Sequence, residues 1–152
     1  MNKIKLSISA PLYNESKNCV AGIKDMLKQL NKEVKSFELI LVNNGSTDDT
    51  ADIIEKMKSK HKNIVTVHLK TNQGYGGGII AGLKKSKGEY IAFCDDDDLW
   101  MPLKLEKQIY AFEKNKSAGI VAVGTRIKPT DDTLKFITHS KHDVIIKFED
   151  LF

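Results

Sequence analysis

The sequence predicts an α/β fold, specifically a three-layer α/β/α sandwich with a mostly parallel central sheet. Two observations lead to this class. Short apolar runs alternate along the chain with segments of helical periodicity, which is the pattern of strands wound with helices. One of these runs, 37–42, has the composition of a strand that is covered on both faces. At 152 residues the chain is long enough for a core of its own, and we expect a single domain over 1–152.

The first strand and helix are predicted from the residues before position 31. A strand is expected over about 4–10, where apolar residues alternate, and Pro11 together with Asn14 is expected to break it into a loop. A helix is predicted near 17–30, because its apolar residues recur at spacings of three and four. Ser16 is the expected cap of this helix.

The second strand and helix are predicted on either side of a polar turn. The strand is expected over 37–42, and Ser46 or Thr47 is expected to cap the helix that follows. Asp48 and Asp49 then fall in the first turn of that helix, where the helix dipole favours carboxylates.

The third strand is predicted at 64–69, and a glycine-rich loop, 74–78, leads into a helix that runs to about residue 87. Gly88 is expected to end that helix in the left-handed conformation. The fourth strand is predicted at 90–94.

Three elements and an irregular segment are expected beyond residue 100. A helix follows Pro102 and runs to about residue 115, and a fifth strand is predicted at 120–125. An irregular segment comes next, and a last helix is expected from Lys141, with its apolar residues facing inward.

An acidic run, Asp95 to Asp98, directly follows the predicted fourth strand. Four neighbouring carboxylates repel one another, so a cation is expected to compensate their charge. Oxygen ligands suit Mg²⁺ or Mn²⁺, which proteins usually hold with one or two carboxylates together with substrate phosphates. Acidic clusters are often only solvated turns, but this cluster lies at the carboxyl end of a strand, where open α/β sheets bind ligands. We therefore expect a metal site and a diphosphate substrate.

Three further polar loops follow predicted strands and are expected on the same rim of the sheet. They are 11–15, 43–46 and 74–78. Their amide, carboxylate and aromatic groups can bind a base and a ribose, and glycine allows close approach of backbone to ligand.

Taken together, the motifs at these loops resemble those of the family 2 glycosyltransferases, which have the GT-A fold. The resemblance covers the chain from Ser7 to about Asn115. Four motifs carry it in order: Ser9-Ala10-Pro11-Leu12-Tyr13-Asn14-Glu15, Leu41-Val42-Asn43-Asn44-Gly45-Ser46-Thr47-Asp48-Asp49-Thr50, Asn72-Gln73-Gly74-Tyr75-Gly76, and Gly88-Glu89-Tyr90-Ile91 leading into Asp95-Asp96-Asp97-Asp98-Leu99-Trp100-Met101-Pro102. The resemblance places the nucleotide-binding part at about 4–115 and the start of the acceptor part at about 116–152.

The resemblance also implies the site residues. The expected nucleotide-binding residues are Pro11, Tyr13, Asn14, Glu15, Asn44, Gly74, Asp95 and Asp96. The expected ligands of Mg²⁺ or Mn²⁺ are Asp95 and Asp97, the outer members of a DxD motif, with Asp97 the stronger candidate for direct contact. The sequence departs from many members at Asn43 and Asn44, where they carry aspartate. An amide can still donate to and accept from a pyrimidine edge.

The implied reaction transfers a sugar from a nucleotide diphosphate donor of the UDP or GDP type to a glycan, lipid-linked or other acceptor. Inversion at the anomeric carbon and a role in surface polysaccharide or glycoconjugate synthesis are expected. The catalytic base lies in the carboxyl-terminal half of the family's domain, so it is not identified, and the chain is expected to be truncated there. A non-catalytic nucleotide-sugar-binding module is the alternative.

The charge and composition of the chain limit the kinds of partner that are expected. The net charge of +4 comes mainly from lysines spread along the chain, with Arg126 the sole arginine, so no nucleic-acid partner is expected. A cytoplasmic location is expected, and the diffuse positive charge leaves open peripheral association with the inner face of a membrane. The two cysteines are expected to be reduced and structural.

A dinucleotide-binding enzyme is the rival reading of the glycine-rich loop, because Gly76 to Ala81 fits G-x-G-x-x-A. The segment from Lys70 to Gly76 is too long for the tight turn between strand and helix that this motif requires. A single ribose-binding acid would also leave three of the four aspartates without a role. The sequence therefore favours the glycosyltransferase reading.

Overall fold

The computed structural model describes residues 5–95 and 100–115 and, beyond them, the backbone of four short strands. The chain forms two compact units, Met1–Trp100 and Met101–Phe152. The first unit contains β1 (Leu6–Leu12), α1 (Cys19–Glu33), β2 (Phe37–Asn43), α2 (Thr50–Lys60), β3 (Ile64–His68), α3 (Gly74–Lys85) and β4 (Tyr90–Phe93).

The four strands of the first unit form one parallel sheet in the order β3-β2-β1-β4. Leu6 at the start of β1 is in register with Phe37 of β2 and with Tyr90 of β4. All four strands therefore present their carboxyl ends at the same edge of the sheet. This is the parallel α/β arrangement that the sequence predicts.

Helices cover both faces of this sheet. On α2, Glu55 accepts hydrogen bonds from Thr66 and His68 of β3. These two residues are in register with Leu41 and Asn43 of β2. On α3, Gly82 lies against Ser9 and Val42. Side chains of consecutive strand residues, such as Leu41 and Val42, point to opposite faces of the sheet. The helix on the Leu41 side, α2, and the helix on the Val42 side, α3, therefore lie on opposite faces. The first unit is thus the predicted three-layer sandwich.

The core of the first unit consists of the central strands and the inner faces of the helices. Leu39, Ile40, Leu41 and Val42 of β2 are all completely buried, as expected for a strand covered on both sides. The helices contribute residues at helical spacing to the core: Cys19, Ile23, Leu27 and Leu30 from α1, and Ile54 and Met57 from α2. Both cysteines are buried thiols that form no disulfide, and burial raises the pKa of the Cys19 thiol.

A polar cluster is buried beneath α3. Ser7 donates to Glu38 Oε1 at 2.6 Å and accepts the backbone N–H groups of Lys87 and Gly88 at 3.1 and 2.7 Å. Glu38 Oε1 also accepts the N–H of Lys87 at 2.7 Å. Ser7 is completely buried and Glu38 is 5% exposed. This cluster connects β1, β2 and the segment that joins α3 to β4.

The prediction that Gly88 ends α3 in the left-handed conformation is wrong. The helix ends at Lys85, with Ser86 extended, and the glycines with positive φ in the described residues are Gly45 and Gly74. A Cβ at Gly88 would lie 2.5 Å from Ser7 N and 2.7 Å from Tyr90 O. Glycine is required at this position by close contact between backbones rather than by its φ angle.

Pro11 does not end the first strand, contrary to expectation. β1 continues to Leu12, and Pro11 is in register with Val42. Pairing with β4 stops at Ser9, so β1 has only one neighbouring strand at Pro11. A proline is tolerated there because one side of the strand makes no ladder hydrogen bonds.

The expected helix caps are also wrong. α1 begins at Cys19 after Asn18, and α2 begins at Thr50 after Asp49, in both cases without a side-chain cap. The N–H of Ser16 donates instead to Asp48, as described below. Asp48 and Asp49 therefore precede α2 rather than lie in its first turn.

The second unit contains α4 (Lys104–Lys114), β5 (Ala118–Ala122), β6 (Thr125–Ile127), β7 (Lys135–Ile137) and β8 (Val144–Lys147). β5 pairs antiparallel with β8, and β6 with β7. The helix expected from Lys141 is therefore contradicted at Val144–Lys147, where β-branched residues favour a strand. No helix in the described part of the chain is long and apolar enough to cross a membrane.

A surface cluster between α2 and β3 makes stability depend on pH. Hydrogen bonds from Thr66 and then His68 lower the pKa of the Glu55 carboxyl from 4.5 to about 2, with a smaller contribution from Lys58. The His68 Nε2 to Glu55 Oε1 distance is 2.9 Å, and the Glu55 side chain is 46% exposed. Because the folded-state pKa is the lower one, the stabilisation is present above pH 4.5 and is lost as the pH falls toward 2.

Replacing Glu55 with glutamine is expected to lower the free energy of unfolding at pH 7 by less than about 1 kcal/mol, since solvent screens this exposed cluster. The difference from the wild type should shrink between pH 4.5 and 2. Urea unfolding at several pH values measures it, with Asp25→Asn on the exposed face of α1 as the control. A difference that stays constant down to pH 2 would contradict the role assigned to Glu55.

Candidate functional site

A pocket of about 380 Å³ opens at the carboxyl edge of the sheet in the first unit. Its volume is within the range of small-molecule sites. The lining residues come from the end of β1 and the loop after it, the loop after β2, the loop after β3 with the first turn of α3, and the segment after β4: Pro11, Leu12, Tyr13, Glu15, Asn44, Asn72, Gly74, Tyr75 and Asp95. Four separate chain segments therefore meet in one cavity.

Asn14 ties the loop after β1 to the loop after β2. Its φ angle is +58°, a conformation that asparagine tolerates better than most residues. Its N–H donates to Ser46 Oγ at 3.0 Å, and its Oδ1 accepts the N–H of Thr47 at 2.8 Å. These bonds hold the neighbouring Tyr13 and Glu15 in position at the pocket.

Asp48 makes a second tie between the same two loops. Its Oδ2 accepts the N–H of Ser16 at 3.0 Å, and its Oδ1 accepts the N–H of Thr50 at 3.0 Å. Hydrogen bonds from the Thr50 side chain and then from Ser16 hold the pKa of the Asp48 carboxyl well below its usual range. The Glu15 N–H donates to Thr50 Oγ1 at 2.9 Å. Hydrogen bonds within the protein therefore hold the first pocket loop.

Asn44 holds the loop after β3. Its Nδ2 donates to Asn72 Oδ1 at 3.2 Å and to Gly74 O at 2.9 Å, and its Oδ1 accepts the N–H of Gln73 at 3.0 Å. The residue is 4% exposed. Both amide protons are thus engaged within the protein, so the geometry gives Asn44 the role of ordering the 72–74 loop.

Asp95 lies at the end of β4, where its carboxylate meets Tyr75 from the first turn of α3. The Tyr75 hydroxyl donates to Asp95 Oδ1 at 3.0 Å and lies 3.4 Å from Oδ2. Tyr75 is 64% exposed and Tyr13 is 44% exposed. Two tyrosines and two carboxylates, Glu15 and Asp95, therefore line the pocket.

The structure brings six of the expected nucleotide-binding residues to the pocket: Pro11, Tyr13, Glu15, Asn44, Gly74 and Asp95. Asn14 is not among the lining residues, because its side chain is turned to Thr47. Asp96 and Asp97, the latter an expected metal ligand, lie outside the described residues. Leu12, Asn72 and Tyr75 also line the pocket but are not among the expected binding residues, although all three belong to the sequence motifs.

The electrostatics of the pocket favour a cationic partner. Among the described lining residues, the charged side chains are Glu15 and Asp95, and both are acidic. A diphosphate brought to this pocket would be repelled unless a cation compensated the charge. The described residues contain no cluster of three or more His, Cys, Asp or Glu side chains. Carboxylate oxygens such as those of Asp95 are ligands that suit Mg²⁺ or Mn²⁺.

A parallel sheet with helices on both faces and a pocket at the carboxyl ends of its strands defines an α/β protein of the GT-A type. The model of the family described as glycosyl transferase family 2 matches residues 7–150, and the chain belongs to this family.

Two comparisons illustrate this membership, and a third concerns the fold. The Escherichia coli UDP-Glc:alpha-D-GlcNAc-diphosphoundecaprenol beta-1,3-glucosyltransferase WfaP is 36% identical over 111 residues, which are 73% of this chain and 42% of that protein. The crystal structure of S. aureus TarS 1–349 in complex with UDP-GlcNAc matches with a TM-score of 0.64 and 30% identity, covering 79% of this chain and 34% of that one.

The third comparison concerns the fold alone. The mannosyltransferase PcManGT from Pyrobaculum calidifontis, in complex with GDP-Man and Mn²⁺, matches with a TM-score of 0.70 at 17% identity over 84% of this chain and 37% of that one. The chain is short beside its curated relatives. It spans 36%, 15% and 42% of the lengths of three bacterial proteins described as uncharacterized glycosyltransferases.

Proposed function

We propose that the chain forms the donor-binding part of a metal-dependent glycosyltransferase that moves a sugar from a nucleotide diphosphate to an acceptor. The observation that carries this proposal is the pocket in which Tyr13, Glu15, Tyr75 and Asp95 meet at the carboxyl edge of the sheet. Family membership supports sugar transfer as the reaction class.

The two ends of the pocket suit different parts of the donor. The first loop offers the Tyr13 ring for stacking and the Glu15 carboxylate as a hydrogen-bond acceptor, and these groups suit a base or a ribose. Asp95 follows β4 and is the first residue of the acidic run. We assign the nucleoside to the loop side and the diphosphate to the Asp95 side. TarS 1–349, which shares 30% identity with this chain, has been crystallised with UDP-GlcNAc, and this supports a UDP-type donor.

The acidic charge of the pocket supports metal dependence. Asp95 and Asp97 are the residues that we propose to hold Mg²⁺ or Mn²⁺, since both belong to the acidic run. When bound, the cation offsets the charge that develops on the leaving diphosphate. Tyr13 and Glu15 hold the nucleoside. Because hydrogen bonds of Asn14, Asp48 and Asn44 hold the pocket loops in place, binding has a lower entropy cost.

The chemical step also requires a base for the acceptor hydroxyl. We assign no residue of this chain to that role. Transfer with inversion at the anomeric carbon, a lipid-linked or other glycan acceptor, and a role in surface polysaccharide synthesis complete the proposal. WfaP, whose name specifies a diphosphoundecaprenol-linked acceptor, supports an acceptor of that chemical type.

Calorimetric titration with UDP and then GDP, each with Mn²⁺ and with a chelator, tests the donor site. We expect one nucleotide to bind with Mn²⁺ and to bind at least about tenfold more weakly with chelator, because the acidic pocket then repels the diphosphate. Asp97→Ala should remove the metal-dependent part of the affinity. Absence of binding by either nucleotide under both conditions would refute the proposal, and binding without sugar transfer would limit it to a nucleotide-sugar-binding module.

A further inference from the structure

Tyr75 occupies an unusual place for a large aromatic residue. It lies in the first turn of α3 and is 64% exposed, yet it lines the pocket and its hydroxyl reaches Asp95 at the end of β4. The two residues are 20 positions apart in the sequence. Since most of the ring is in contact with solvent, packing contributes little to holding it there.

The backbone that carries Tyr75 is itself held tightly. Gly74, the preceding residue, has a φ angle of +70° and donates its N–H to Asn72 Oδ1 at 2.7 Å. Its carbonyl accepts from the buried Asn44 at 2.9 Å. The position of the Tyr75 ring is therefore set from the core of the first unit, through Asn44 and the 72–74 loop.

The hydroxyl bond restricts the Asp95 carboxylate. A carboxylate has about four lone-pair sites, and one hydrogen bond from Tyr75 leaves the others open to further donors or a cation. Without this bond, an Asp side chain at the end of a strand is free to rotate between staggered positions. Binding a donor would then include the entropy cost of ordering the side chain.

We propose that Tyr75 is a positioning residue that orients the Asp95 carboxylate toward the diphosphate end of the donor site. This inference rests on the proposed function and deepens it, because it names the group that prepares the metal-dependent side of the pocket. Tyr75 acts through Asp95, whereas Tyr13 lies on the nucleoside side. The hydroxyl, and not the ring, is the part of Tyr75 that performs this role.

Tyr75→Phe isolates the hydroxyl, since it keeps the ring and removes the hydrogen bond. We expect the variant to bind the preferred nucleotide about threefold to tenfold more weakly than the wild type with Mn²⁺ present. With chelator, the two proteins should bind equally. Thermal unfolding should be unchanged, because Tyr75 is largely exposed.

Tyr110→Phe is the matched control. Tyr110 is 60% exposed on α4 and does not line the pocket, so its variant should bind as the wild type does under both conditions. A Tyr75→Phe affinity equal to that of the wild type with Mn²⁺ would overturn the inference and leave the proposed function intact. An equal loss with Mn²⁺ and with chelator would also overturn it, since the hydroxyl would then serve the nucleoside directly. A wild type that binds neither nucleotide would overturn the proposed function, and the inference with it.

Discussion

Replacing Ser7 with alanine is expected to lower the free energy of unfolding by about 3 kcal/mol, because it removes the centre of a buried polar cluster. Ser7 donates to Glu38 Oε1 at 2.6 Å and accepts the N–H of Gly88 at 2.7 Å. The variant would leave the Gly88 N–H without this acceptor and the Glu38 carboxyl without one of its donors. A buried polar group that loses its partner costs far more than the small volume change does.

Ser9→Ala provides a matched control on the same strand. Ser9 is as completely buried as Ser7 and lies two residues further along β1, on the same face of the sheet. Its Oγ has no hydrogen-bond partner among the described residues. We therefore expect Ser9→Ala to leave the free energy of unfolding unchanged within about 1 kcal/mol or to raise it slightly. Equal destabilisation by both variants, measured by urea unfolding, would show that lost volume rather than the polar cluster is responsible.

Replacing Asn44 with aspartate is expected to weaken nucleotide binding about tenfold or more. The amide donates to Asn72 Oδ1 at 3.2 Å and to Gly74 O at 2.9 Å. A carboxylate oxygen in the place of Nδ2 would face two acceptors with no proton to share. The 72–74 loop would lose its anchor, and the pocket wall formed by Gly74 and Tyr75 would lose its fixed position.

Asn31→Asp is the control for this charge change, since Asn31 is exposed near the end of α1 and outside the pocket. Calorimetry with the preferred nucleotide and Mn²⁺ measures both variants. Unchanged affinity in Asn44→Asp would contradict the ordering role of Asn44. A change of preference between UDP and GDP would instead indicate that this side chain contacts the base.

The site residues show which parts of the site can be predicted from local sequence patterns. Asp95, Tyr13 and Glu15 follow predicted strands, and parallel strands bring such loops to one edge, so their meeting in a pocket could be predicted. Tyr75 was not singled out, because its role depends on a hydrogen bond to a residue 20 positions away. The sequence predicts a ligand-binding role for Asn14 and a capping role for Ser16, and the structure ties both residues to the loop after β2. Polar side chains in loops have several partners within reach, and only the fold selects among them.

By itself, the sequence determined the order of strands and helices in the first unit and the edge of the sheet at which its motifs collect. It could do so because apolar periodicity and parallel connectivity are local properties that survive folding. The tertiary structure alone decided the roles of Asn44, Ser7 and Gly88. Asn44 bonds to Asn72, which is 28 positions away in the sequence. Ser7 bonds to Glu38, 31 positions away, and to Gly88, 81 positions away. Hydrogen bonds and backbone contacts over such separations exist only once the sheet has brought the segments together.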